Sequence, residues 1–75
     1  MMDEYRTLVT FQDNYMPGPR LVKHLMNTPR QGDEVIIDSN VFIVKRVRTR
    51  YKANTTMPTA LVNMERVGST GEDGW

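Results

Sequence analysis

The side chains best typed for recognition chemistry sit close together: Arg46, Arg48, Arg50 and Lys52 recur at every second position, with Tyr51 between the last two. In an extended strand alternate residues share a face, and each two-residue step advances about 6.6 to 6.8 Å. Four cations so spaced form a stripe, and their separation is close to the roughly 6 to 7 Å between successive phosphates of one nucleic-acid strand. Three of the four are arginines, whose planar fork pairs bidentately with carboxylates. That choice favours recognition of an acidic protein surface over plain solubility. Two other accounts stay open. A row of long cations is a common defence of a strand edge against unwanted pairing. It also suits a single-stranded nucleic acid, to which Tyr51, Phe42 or Tyr5 would add a stacking surface if any of them faces outward. Against nucleic acid stand a pI of 8.1, where dedicated binders usually exceed about 9, and the expectation that Phe42 and Tyr51 face the core.

Catalytic chemistry finds little to work with. General acid-base catalysis at neutral pH would fall to His24, the chain's one histidine, which has no sequence neighbour typed to orient it. Asp33, Glu34 and Asp38 flank a predicted strand and can meet as a carboxylate pair, but strand ends are where turns want such residues. Their spacing is no calcium loop and supplies too few oxygen ligands for a hard cation. With no cysteine and a single histidine the usual zinc arrangements are absent. There is no phosphate-binding glycine loop and no nucleophile elbow. The expectation is a non-enzymatic protein with no cofactor and no metal.

The elements that must carry the stripe follow from patterning. Seventy-five residues make at most one domain, and one that buries only about 60% of its unfolded surface. Residues 5 to 12 are rich in β-branched and aromatic types, with Tyr5, Thr7, Val9 and Phe11 on one face of a first strand. Asp13 and Asn14, then Pro17-Gly18-Pro19, end it. Leu21, Val22, Leu25 and Met26 recur at helical spacing after a proline, so a short helix over 20 to 27 is the better reading and an irregular strand its competitor. A turn at Pro29 to Asp33 precedes a strand over Glu34 to Asp38, and Ser39-Asn40, with Asn40 at positive φ, is the expected reversal into a strand over 41 to 51.

In that strand the apolar parity changes. Phe42 and Val44 share one face, while Val47, Thr49 and Tyr51 share the other; a β-bulge at Lys45 or Arg46 brings all five onto one core face. Residues 52 to 58 read as a polar loop and Thr59 to Val67 as a last strand, with Ala60, Val62 and Met64 inward. Residues 1 to 67 then form one small β domain and 68 to 75 a flexible tail. Trp75, at the end of that tail, is a candidate anchor for a partner's pocket. Met26 and Met64 are expected to fill core gaps. The fold class is mostly β, a small curled antiparallel sheet or SH3-like partly open barrel of four to five strands with one short helix.

Net charge is only +1, but it is unevenly placed. Residues 1 to 37 carry a net of −1, residues 38 to 67 a net of +4, and the tail, through Glu72 and Asp73, −2. No apolar run approaches the ~20 residues of a membrane span. The N-terminal Met-Met-Asp-Glu-Tyr-Arg has neither the basic nor the apolar region of a secretory signal. A protein of the cytoplasm or of a virion, with no membrane partner, is expected.

The pattern Pro29-x-x-Gly32-Asp33-x-Val35-x-Ile37-Asp38-x-x-x-Phe42-x-Val44-x-x-Val47, followed by a polar loop and Ala60-x-Val62-x-Met64, resembles small phage and prophage accessory proteins of the SH3-like barrel type over roughly half the chain. The resemblance is to turn and core positions, so it implies a fold and a viral origin, and no particular activity. The expected function is a protein-binding accessory, an adaptor in virion assembly or a modulator of a host protein. It uses the Arg46, Arg48, Arg50, Tyr51 and Lys52 segment against an acidic protein surface, with single-stranded DNA or RNA as the alternative partner; a homo-oligomer is compatible with either.

Overall fold

β-branched and aromatic residues spaced two apart build a five-stranded sheet in the computed structural model, which describes residues 6–14, 17–54 and 56–71. The strands are β1 (Thr7–Asp13), β2 (Leu21–Leu25), β3 (Glu34–Ile37), β4 (Asn40–Arg50) and β5 (Thr59–Ser69). Their order is β2-β1-β5-β4-β3, and the sheet curls into a half-barrel. Neighbours pair antiparallel except β1 with β5, which run parallel, so the sheet is mixed where an all-antiparallel one was expected. No described helix is long and apolar enough to cross a membrane.

The short helix expected over 20 to 27 is instead β2. Leu21 and Leu25 are four residues apart, a spacing that puts two side chains on one face of a helix and equally on one face of a strand. Two forces settle the ambiguity. A helix confined between Pro19 and Pro29 is too short to stand alone in water. As a strand, the segment pairs along β1 from Thr7 opposite Leu25 to Phe11 opposite Leu21, and both leucines pack against the core. Val22 and Met26 are left exposed, so Met64 alone of the two expected core methionines is buried.

All five strands feed one core. Val9, Phe11, Ile37, Phe42, Val44, Ala60, Val62 and Met64 are buried, and Leu21, Leu25, Val35 and Val47 pack around them. β4 supplies this core from both parities because of an irregularity at Lys45: Val44 lies opposite Met64 and Arg46 opposite Asn63, leaving Lys45 as the extra residue. Beyond the bulge Val47 pairs with Val62 and Thr49 with Ala60. A second register shift sets Phe42 opposite Arg66 and Val41 opposite Gly68, so Val67 is the extra residue on β5. β5 itself runs to Ser69, two residues past its expected end, and Thr70 N–H donates to the Ser39 carbonyl at 2.9 Å.

The β3–β4 reversal is one residue earlier than expected. Ile37 pairs with Asn40, and Asp38 and Ser39 occupy the turn with φ of 50° and 72°. Positive φ at both central residues is what a two-residue turn of the primed type needs to match strand twist.

Among the described residues one charged side chain is buried with the apolar ones. Asp13, the last residue of β1 and only 3% exposed, accepts a hydrogen bond from Arg20 Nη2 at 3.0 Å. The Arg20 guanidinium carbon lies 5.1 Å from the centroid of the Phe42 ring, within cation–π range. Arg20 N–H donates to the Phe11 carbonyl at 2.8 Å. One arginine therefore ties the β1–β2 connection to β1 and to the far side of the core on β4.

Two changes test this account. Asp13→Asn removes the buried charge that holds Arg20 and is expected to cost about 1.5 to 3 kcal/mol, read as a lower urea midpoint. That is a large share of the total for a domain whose stability should be of the order of 5 kcal/mol. Replacing Asp38-Ser39 by Asn-Gly relieves two strained positions and should raise stability by about 1 kcal/mol in the same titration.

Candidate functional site

The bulge gives Val47 and Thr49 the parity of the core face, so Arg46, Arg48 and Arg50 all face outward. Val47 is half-buried, but Thr49, expected in the core, is exposed because the core ends at Val47. The three arginines sit opposite Asn63, Leu61 and Thr59 of β5, and all three are exposed. β1 continues this outer face, with Thr10 beside Leu61 and Leu8 beside Thr59. A groove of about 290 Å³ opens here, lined by Thr10, Arg48, Arg50, Thr59, Ala60 and Leu61. It offers two guanidinium groups, two threonine hydroxyls and the apolar Ala60 and Leu61, an arrangement that suits an anionic group with some apolar body attached.

The electrostatics of the row are simple. Among the described residues no carboxylate pairs with Arg46, Arg48 or Arg50, and none of the three donates a side-chain hydrogen bond. The neighbouring cations differ. Lys45, at the bulge, pairs with Glu65 at 3.4 Å, and Arg66 Nε donates to Asn40 Oδ1 at 2.9 Å. The row is thus a local excess of positive charge that the fold leaves uncompensated.

The structure shortens the expected stripe from four strand cations to three. β4 ends at Arg50, and Lys52 lies in the connection to β5. Tyr51, expected on the core face by parity, is 78% exposed; the alternation that would carry it inward lapses where β4 stops pairing with β5, at Arg50 opposite Thr59. Phe42 is fully buried, as its parity requires. Tyr5 and Trp75 lie outside the described residues. The groove residues Thr10, Thr59 and Leu61 are not apparent from the stripe alone. Their signal is Leu61, an apolar residue at an outward position of the last strand, which marks a face not wholly given to solvent.

The other candidates take structural or solvent roles. His24 is exposed on β2 and lines no part of the groove. Asp33 closes its turn reciprocally: its carboxylate accepts from the Arg30 N–H at 2.8 Å, and its own N–H donates to the Arg30 carbonyl at 3.0 Å. Asp38 occupies the β3–β4 turn. No three described histidine or acidic side chains gather where a metal ion would be held.

Neither family models, curated proteins nor solved structures give a match to this chain.

If the three arginines are spared from packing, removing them should not disturb the fold. The triple variant Arg46→Ala, Arg48→Ala, Arg50→Ala is expected to keep a cooperative urea transition and a wild-type far-ultraviolet circular dichroism spectrum. Each site should change stability by no more than about 0.5 kcal/mol.

Proposed function

We propose that this chain is a non-enzymatic binding module that docks an acidic protein surface on the Arg46, Arg48 and Arg50 face of β4. The observation that carries the reading is the absence of any described counter-charge on three aligned guanidinium groups beside an open groove. Exposed cations on a folded domain are usually interspersed with acids, and arginine keeps its hydrogen-bonding fork available for carboxylates of a partner. The setting, a phage-encoded accessory that serves virion assembly or modulates a host protein, rests on the sequence resemblance alone.

A second reading, single-stranded nucleic acid, gains from one feature. Tyr51 stands exposed at the end of the arginine row, where a base can stack while the row tracks the backbone. The two readings separate in a fluorescence anisotropy titration of a glutamate-rich peptide and of a single-stranded oligonucleotide. The protein-binding reading expects the peptide to bind, the triple arginine variant to bind it at least tenfold more weakly, and Tyr51→Ala to bind it as wild type does. Tight oligonucleotide binding that falls steeply with salt and is lost in Tyr51→Ala would transfer the function to nucleic acid. Wild-type peptide affinity in the arginine variant would remove the face from either reading.

A further inference from the structure

β4 is eleven residues long and β3 only four. β3 covers β4 from Asn40 to Ile43, and the turn that precedes it closes on Val44, whose N–H donates to the Asp33 carbonyl at 2.9 Å and whose carbonyl accepts from Gly32 N–H at 2.8 Å. Beyond Val44, β5 still pairs with β4 as far as Arg50, but among the described residues nothing pairs with the opposite side. β4 thus presents an open edge from Lys45 to Arg50.

The hydrogen-bonding groups on that edge can be assigned. Residues on one face of a strand direct their N–H and C=O groups to the same side. Val44, on the core face, directs its pair toward β3. Val47 and Thr49 share that face beyond the bulge, as their pairing with Val62 and Ala60 shows, so they direct theirs toward the open side. Two amides and two carbonyls there have no backbone partner among the described residues. Val47 is half-buried at the rim of the core, and an added strand would cover it.

We propose that this edge receives an extended acidic segment of a partner protein as an additional strand, aligned with β4 between Lys45 and Arg50. The inference rests on the protein-binding reading of the arginine face and adds the mode of recognition. Main-chain pairing to Val47 and Thr49 supplies part of the affinity, and alternate side chains of the segment supply the specificity. Those on the outer face stand beside Arg46, Arg48 and Arg50 and are acidic. Those on the inner face lie beside Val47 and Thr49 and are apolar or small.

Charge selects this occupant over a second copy of the chain. Pairing two β4 edges would bring two rows of arginines side by side, and like charges on neighbouring strands are unfavourable. The remaining sheet edges are poorer templates. β3 is a four-residue strand, and β2 carries exposed Lys23 at its centre, on the core-facing parity.

The test uses peptides of alternating glutamate and valine, nine residues long, titrated against the full chain by fluorescence anisotropy. One is unmodified, one carries N-methyl groups on its valine amides and one on its glutamate amides. In an antiparallel added strand the valine amides face β4; in a parallel one the glutamate amides do. Edge addition expects one methylated peptide to bind at least tenfold more weakly than the other, and which one fails reports the direction. Thr49→Pro, which removes an edge-facing N–H without changing charge, should weaken the unmodified peptide similarly. Equal affinities for the two methylated peptides, or no binding of the unmodified one, would overturn edge addition. If the methylated peptides are equal while the arginine variant still loses binding, the face reading stands without the edge. Unchanged peptide binding in the arginine variant removes the reading beneath it. A dimer of the free protein in sedimentation velocity that the peptide dissociates would assign the edge to a second copy and overturn the acidic partner.

Discussion

A β-strand has a side-chain period of two, and β4 does not obey it over its whole length. Its core residues are Phe42 and Val44 on one parity and Val47 on the other, with Thr49 following Val47 and with Val41 and Ile43 on the outer face before the bulge. Without an extra residue, any register that buries Phe42 and Val44 exposes Val47 and points Arg46, Arg48 and Arg50 into the core. The unpaired Lys45 resolves this conflict. On one side of the bulge β4 sets Val44 opposite Met64 and adds Phe42 to the same core; on the other it sets Val47 opposite Val62. The outward placement of the arginines is the complement of that solution. Core and candidate site are set by the same residue, so the site cannot be shifted by one position without unfolding the domain that bears it.

The small core explains why a charged pair lies beside it. Eight buried apolar residues among those described, with no disulfide, hold a curled sheet whose strands meet chiefly through neighbours. The ends of the curl are far apart in strand order: β2 lies at one edge and β3 at the other. Arg20 reaches across this gap, held by Asp13 on one side and laid over Phe42 on the other. Its long apolar stem and flat guanidinium can cover a ring that a shorter side chain would leave open. The cost is visible as well, since the Arg20 Nε is buried without a hydrogen-bond partner. That cost is tolerable for a partly exposed arginine whose other nitrogen is satisfied by a carboxylate.

Much of this was legible in the sequence where parity governs. The bulge, the inward Ala60, Val62 and Met64, and the burial of Phe42 all follow from which residues can share a face. Parity is silent elsewhere. Leu21 and Leu25 fit a helix and a strand alike, and only pairing with β1, a tertiary event, decides between them. Tyr51 follows the inward parity of Val47 and Thr49, yet it comes one residue after pairing with β5 ends, where alternation has no force. Asp13 was expected as a turn residue; its burial depends on Arg20, seven positions later, and on a ring from another strand. The parallel pairing of β1 with β5, which brings Thr10 to the groove, leaves no mark in either strand's own pattern.

The charge on β4 gains meaning from what stands next to it. Across the ladder from Arg46, Arg48 and Arg50 the outer positions of β5 are Asn63, Leu61 and Thr59, all uncharged. The one acidic residue of β5 is Glu65, a step further along, and Lys45 occupies it. The bulge that turns the arginines outward also places the lysine that keeps the nearest acid of the neighbouring strand engaged. A row meant only for solubility gains nothing from that separation, because mixed charges solvate a surface as well and repel one another less. A row meant to meet carboxylates from outside does gain: any acid of its own within reach would have to be displaced first. The uncompensated row, the groove on one flank of β4 and the open backbone edge on the other all fall on the half of the strand that β3 is too short to cover. The surface proposed for an extended acidic chain therefore follows from the unequal lengths of two neighbouring strands.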